Sequence, residues 1–290
     1  MPTLKEFNVK LTRLRSTRKL TKTMKLVSVN KLRRAQEAEK RVGLISGRLS
    51  GVLGKLGSAI AEGEHVLLTP RKSVKHVMVL VITSDRGLCG GFNNNLIKAV
   101  ALWSREQEAN NRSVLMSFCG RRGYSFFKTR ATVERHYEEV MAKPDYSHAH
   151  RIGRALQAAF TGRRVDEVYL AYNATQGTLS QKPLIERLVP LNLTGLAVVG
   201  GGKPAAGWLL EPGPEELLNN LLPRIVSLKV YTAMLNSSAG EHSARMKAME
   251  QASSNADTVI RQITLERNRA RQAAITTELT EIVAGAEALK

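Results

Sequence analysis

No proline interrupts the chain between Leu4 and about Ile60, and none follows Pro223 to the end at Lys290. A proline inside a helix removes a backbone donor and clashes with the preceding turn, so each stretch is free to form one long helix. Leu4, Phe7, Leu11 and Leu14 stand three or four residues apart, the spacing of a single helical face. The phase then slips and resumes at Val42, Ile45, Leu49, Val52 and Leu56. In the second stretch Leu221, Ile225, Leu228, Met246, Met249, Ala256, Val259, Ile263, Ala270, Ala274, Leu279 and Ile282 keep the rhythm in pieces. Pro223 falls in a first or second turn, where it is tolerated. Gly43, Gly47, Gly51, Gly54 and Gly57 each weaken the first helix by about 1 kcal/mol relative to alanine. They either permit close helix approach or mark its end.

The residues between the two stretches follow another rule. VMVLVITSD (77–85), SVLMSFC (113–119) and EVYLAYN (167–173) are short apolar runs rich in β-branched residues, the pattern of buried strands. Helical patterns lie between them at about 92–108 and 148–161, and ERLVPLNL (186–193) suggests a further strand. Alternating strands and helices predict an α/β domain with a mainly parallel sheet. The expected organisation is a helix over 1–60, an inserted α/β domain over 61–213, and a second helix over 214–290 that pairs with the first.

Both helices leave the domain, so they can run antiparallel. At the rise of an α-helix the first would be roughly 85 Å long and the second roughly 110 Å, leaving an overhang of about 25 Å. Ile275, Leu279, Ile282, Val283 and Leu289 lie on that tip and need burial in another body. Charge asks for a partner too. The whole chain carries a net +19. Residues 1–58 hold 15 basic and 3 acidic side chains, hence +12, whereas residues 214–290 hold nine of each. The second helix therefore does not neutralise the first, and the basic face points to an acidic body. Thr17, Thr21 and Ser28 interrupt the apolar seam with small polar groups, which suit a partner that must slide or adjust.

Several chemistries find little support. TSDRGLCGGFNNN (83–95) follows a strand with glycines, but GLCGGF has neither the Gly-Lys-Ser/Thr of a phosphate-binding P-loop nor G-x-G-x-x-G. Its glycines read as a strand-to-helix turn, with Asp85 and Arg86 placed to pair locally. A basic coiled coil that binds nucleic acid fits the charge, but aromatics are only 5% and no base-reading module is visible. His148 and His150 lack a third nearby ligand and read as a surface loop. Cys89 and Cys119 form no CxxC pair, so neither a disulfide framework nor a metal site is indicated, and a reducing compartment is expected. The first residues lack the apolar core of a secretory signal, and no apolar run is long enough to span a membrane. No catalytic residues, metal or cofactor are expected.

The motifs themselves carry a resemblance. TRKLTKTMKLVSVNKLRRAQ (17–36), ITSDRGLCGGFN (82–93), VYLAYNATQGTLSQKPLIERLVPL (168–191), ARMKAMEQASSNADTVI (244–260) and ARQAAITTELTEIVAGAEAL (270–289) resemble, in order, the signatures of the gamma subunits of F-type ATP synthases. The resemblance covers nearly the whole chain. It implies an antiparallel coiled coil with an inserted Rossmann-like α/β domain, acting as a non-catalytic rotor shaft. Such a shaft couples ion-driven rotation of the c-ring to ATP synthesis or hydrolysis at the beta subunits. The implied partners are the alpha and beta subunits, the epsilon subunit and the c-subunit ring, at the cytoplasmic face of a bacterial inner membrane.

Residue roles carry over by position. Met24, Lys25, Arg33 and Arg34 match where the family's coiled coil meets an acidic loop of beta, and Arg245 matches a motif that holds beta. Trp208, Leu210 and Glu211 lie in WLLEP (208–212), which matches the segment resting on the c-ring. Ile275, Thr277, Leu279, Ile282 and Val283 would turn in a sleeve at the top of the hexamer. The family's usual glutamine is Thr277 here, which puts one polar contact to beta in question. A tyrosine of the family's Y-N-K-A-R-Q is Arg267, and one of the c-ring segment is Leu210. The cysteine-bearing insertion of plant chloroplast gammas is absent, so no thiol switch is expected.

Overall fold

A computed structural model describes residues 3–57, 65–176, 180–192 and 213–287. The first proline-free stretch is helix α1, Leu4–Gly57, opened by Thr3, whose hydroxyl accepts from the Glu6 N–H while the Glu6 carboxylate accepts from the Thr3 N–H. This reciprocal pair satisfies two donors that a helix start leaves orphaned. The last element is helix α5, Pro214–Glu287, which carries Pro223 inside its third turn rather than in a first or second. Between them come β1 His76–Ile82, α2 Phe92–Ala109, β2 Ser113–Cys119, α3 Arg121–Phe127, β3 Thr132–Tyr137, α4 Tyr146–Thr161, β4 Glu167–Gln176 and β5 Ser180–Val189.

The phase of α1 does not slip. Phe7, Thr21, Ser28, Ala35 and Val42 are buried, and Leu14 and Leu49 are half-buried. These seven positions recur at every seventh residue, so one column of the heptad faces inward throughout. The sequence reading missed it because the middle of the column is Thr, Ser and Ala rather than leucine. Thr17, Ile45 and Val52, read as seam residues, are exposed. On α5 Val259 is likewise exposed, and Ile260 takes the inward place.

Contacts divide the chain into two compact units. The first joins residues 1–29 to 245–290; its core is Phe7, Leu11 and Ile263, with Leu14, Ile260 and Ala270 against it. The second, residues 30–244, contains the sheet, ordered β3-β2-β1-β4-β5. β1 pairs in parallel with β2 and β4, β2 with β3, and β5 runs antiparallel along β4.

Alternation along β1 builds two cores. Val77, Val79 and Val81 point to one face, against Leu96, Ile97 and Val100 of α2. Met78, Leu80 and Ile82 point to the other, where Ile152, Leu156 and Phe160 of α4 join Val226, Val230 and Met234 of α5. A strand buried on both faces must be apolar throughout, as HVMVLVI is. The early part of α5 thus serves as a layer of the α/β core. Val42 and Ala38 of α1 pack on its other side, against Leu228 and Leu235.

The sequence pattern found β1, β2, β4, α2 and α4 but not β3 or α3, and it started β5 six residues late. TVERHY is an edge strand, mostly half-exposed and charged, without an apolar run. β5 begins in the alternating, half-exposed SQKPLIER, with Pro183 on the sheet edge, where proline is tolerated.

Gly120 lies at φ +92, and a Cβ there would sit 2.1 Å from the Thr83 carbonyl oxygen. Gly120→Ala is expected to cost more than about 3 kcal/mol. Gly43 faces open space within its helix, so Gly43→Ala should add about 0.5–1 kcal/mol. Thermal unfolding of the two variants should therefore shift in opposite directions.

Candidate functional site: the outer face of the paired helices

In the unit of residues 1–29 and 245–290, two ion pairs fix the antiparallel register. Arg18 meets Asp257 at 2.6 Å and Lys25 meets Glu250 at 2.5 Å. The partners are seven residues apart on each helix, two equivalent rungs of the heptad. Inside the seam the hydroxyl of Thr21 donates to the Arg18 carbonyl, and that of Ser28 to the Met24 carbonyl. Both hydroxyls are satisfied within their own helix and ask nothing of the opposite one.

The register leaves the end of α5 without α1 beside it. Every residue from Ile275 to Ala286 is exposed, including Leu279 and Ile282, the latter 66% accessible. At 1.5 Å per residue these 12 positions extend about 18 Å. Among the described residues Thr277 bonds its own helix, to the Ala273 carbonyl.

The sequence-predicted contact residues occupy different environments. Met24 is half-buried. Lys25 is half-buried too, with its ammonium held by Glu250. Arg245 is buried, 8% accessible. In the unit of residues 30–244, Arg33 is exposed and pairs with Glu37 one turn on, at 3.0 Å, and Arg34 is exposed. Trp208, Leu210 and Glu211 lie outside the described residues. Arg18, Lys25 and Arg33 are the α1 cations with ion pairs among the described residues. Among the described residues, no other ion pair neutralises the +12 on this helix.

Sequence reasoning passed over an apolar stripe on the same helix. Leu20, Leu26 and Val27 are exposed at 65, 59 and 50%. Leu20 and Val27 stand seven apart, out of phase with the seam, which was the available signal. Exposed apolar side chains among unpaired cations form a surface suited to an acidic partner with apolar contacts of its own.

The glycine loop after β1 folds upon itself. Ser84 N–H donates to Asn93 Oδ1 at 3.0 Å, and Asn93 Nδ2 donates to Ser84 Oγ at 2.7 Å and Cys89 Sγ at 3.2 Å. Leu88 and Gly90 take positive φ, 64° and 57°. Asp85 accepts from the Arg121 N–H at 3.1 Å; the expected Asp85–Arg86 pair is not among the ion pairs of the described residues. In a doubly wound sheet of this order, ligands enter where connections leave in opposite directions, here beyond the ends of β1 and β4. That place is filled by α5. Ser237 donates to the Ile82 carbonyl at 3.2 Å, and a Cβ on Gly240 would lie 3.1 Å from both Phe92 and Gln181. His148 and His150 lie in the first two turns of α4 rather than a loop, and His150 Nδ1 meets Ser227 Oγ at 3.3 Å. Among the described residues no group of His, Cys, Asp or Glu could hold a metal ion. Burial pushes the Cys119 thiol well above its ordinary range, so it is not a nucleophile.

With fold and surface in view, comparison with known proteins is specific. The model of the family described as ATP synthase matches residues 3–289. The ATP synthase gamma chain of Trichlorobacter lovleyi is 37% identical over 290 residues, covering all of both chains. A chain in the central stalk and c-ring structure of the Tetrahymena thermophila mitochondrial ATP synthase is 26% identical, with a TM-score of 0.57 over 81% of this chain and 99% of that one. A chain of the Euglena gracilis mitochondrial OSCP/F1/c-ring assembly reaches a TM-score of 0.66 over 99% of this chain and 94% of that one; at 19% identity this is a likeness of fold. The chain belongs to the ATP synthase gamma-chain family. It is a non-catalytic member of that complex and not an enzyme by itself.

Exposed ion pairs contribute little individually. A double-mutant cycle of Lys25→Ala and Glu250→Ala should give a coupling of at most about 1 kcal/mol that shrinks with added salt. Larger coupling in denaturant unfolding would show that the pair does more than set register.

Proposed function

We propose that this chain is the central-stalk rotor of an F-type ATP synthase, coupling rotation of the c-ring to ATP synthesis or hydrolysis at the beta subunits and regulating ATPase activity. The observation that carries the reading is its identity to a gamma chain across the full length of both. The shaft makes no covalent chemistry of its own. It acts by touching each beta subunit differently as it turns, which biases the open and closed states of each site.

The surfaces take roles in that frame. The exposed cations of α1, Arg33 and Arg34 among them, face an acidic loop of beta, with Met24 and the Leu20–Val27 stripe supplying apolar contact. Lys25 and Arg245 lie at the same contact, with Lys25 exchanging Glu250 for a beta carboxylate as the shaft turns. The α5 tip, Ile275 to Val283 with Thr277, turns inside a sleeve formed by the alpha and beta subunits. Trp208, Leu210 and Glu211 rest on the c-ring, and the epsilon subunit binds the α/β domain. None of the described helices is long and apolar enough to cross a membrane, which agrees with peripheral attachment through the complex at the cytoplasmic face of a bacterial inner membrane. A nucleic-acid-binding role gains no support, because the basic helix has a partner within the complex.

Two measurements test this. Full complexes assembled with the chain truncated before Ile275 should lose affinity for the shaft by at least tenfold, since burying even one such side chain is worth about 1.5–3 kcal/mol. Unchanged assembly and ion pumping would remove the sleeve from the account. Arg34→Glu should lower ATP-driven pumping more at low than at high ionic strength, because an exposed charge is screened by salt. If wild-type chain expressed with alpha and beta yields no active complex, the rotor reading is wrong.

A further inference from the structure

A shaft driven from its foot must be gripped against rotation where the helices leave the foot, and the grip is built into α5. Three close approaches hold this helix to the α/β domain. At Gly153 of α4 a Cβ would lie 2.9 Å from Ser227 Oγ and 3.0 Å from Ser227 Cα. Here Gln157 also donates to the Pro223 carbonyl at 2.9 Å, an oxygen that accepts from the Ser227 hydroxyl at 3.0 Å as well. Three turns on, the fully buried Ser237 donates to the Ile82 carbonyl at the end of β1. One turn further, Gly240 presses its backbone against Phe92 of α2 and Gln181 of β5. The segment between is almost free of solvent, with Ala233, Met234, Ser237 and Ala239 at 0–1% accessibility.

At these three points the backbone of α5, or at Ser237 its hydroxyl, is in close contact with α4, β1, α2 or β5, and no long side chain of α5 can move aside to admit a rotation, so the helix has little freedom to roll. We infer that Ser227, Ser237 and Gly240 form a keyed joint that prevents α5 from turning about its own axis, and that this joint transmits torque between the α/β domain and the paired helices. The inference rests on the rotor reading and adds to it which residues carry the load. They are positioning residues: none touches a nucleotide or an ion, and their effect passes through the helix. The same joint occupies the place where a doubly wound sheet receives a ligand, so a fold often used to bind nucleotides is used here to grip a helix.

The test uses the full membrane-bound complex, with ATP hydrolysis and ATP-driven ion pumping measured on the same vesicles. Gly240→Val adds bulk against Phe92 and Gln181; Ser237→Ala removes a bond without adding volume. Gly47→Ala, whose added Cβ meets no atom within 4 Å, is the control. Ions pumped per ATP hydrolysed should fall about fivefold in Gly240→Val, the low end of an ordinary coupling free energy. Ser237→Ala should show a smaller fall, while hydrolysis persists and Gly47→Ala matches wild type. A merely structural defect would lower hydrolysis and pumping in parallel, and that result would overturn the inference. So would a wild-type ratio in both variants. If Gly240→Val does not assemble, Ser237→Ala decides: a wild-type ratio refutes the joint and a lowered one supports it. Failure of the wild-type chain to restore pumping would instead refute the rotor reading beneath it.

Discussion

In the unit of residues 1–29 and 245–290 the two ends of the chain are held together by a helical seam whose bulk varies along its length: large at Phe7, Leu11 and Leu14, small at Thr21 and Ser28. In the unit of residues 30–244 the same helix buries Ala35 and Val42. The large apolar residues supply burial, while the small ones leave no interlocking knobs. The hydroxyls of Thr21 and Ser28 bond within their own helix, so the thin stretch has no polar requirement of its partner. Register there rests on Arg18–Asp257 and Lys25–Glu250, two half-exposed pairs of modest strength. The thin stretch is therefore the part of the seam easiest to deform.

The α/β domain uses the opposite strategy. Its central strand is buried on both faces, and one face takes four turns of α5 into its core. Removing α5 would expose Met78, Leu80 and Ile82, so the domain and the terminal helix fold together. This is why a proline-free stretch begun as a helix pair also serves as a layer of the sheet. It also explains the glycine loop at 87–91. With α5 seated beyond β1, that loop has only to turn the chain into α2, and Asn93, Ser84 and Cys89 close it from within.

Much of this was legible in the sequence because burial writes a period into it. HVMVLVI and SVLMSFC are apolar throughout because both faces are covered, and proline-free runs with a three- or four-residue rhythm announced the long helices. The failures have equally specific causes. TVERHY carries too much charge to read as a strand, since an edge is half solvated. Thr21 and Ser28 were read as interruptions of the seam, and Ala35 was missed, because hydrophobicity was the signal and small size was the rule. Val259 and Ile260 are adjacent and equally apolar, and only the partner helix decides which turns inward. On the surface, charge counting found the basic face but not Leu20 and Val27. An exposed apolar residue gives no sign of itself until the buried phase is known.

The distribution of charge follows from the same geometry. The cations engaged by α5 set the register, and Arg33 and Arg34 are exposed. In salt of cellular strength an exposed charge is screened beyond about 8 Å. Such cations therefore do little to steer a distant partner; they act where surfaces already touch. A face of this kind distinguishes an acidic loop in contact from one withdrawn by a few ångströms. With apolar Leu20 and Val27 set among the cations, contact and withdrawal differ in desolvation as well as in charge. Differential contact is what an asymmetric shaft needs in order to bias one neighbour over another, and on the proposed reading the exposed cations of α1 supply it.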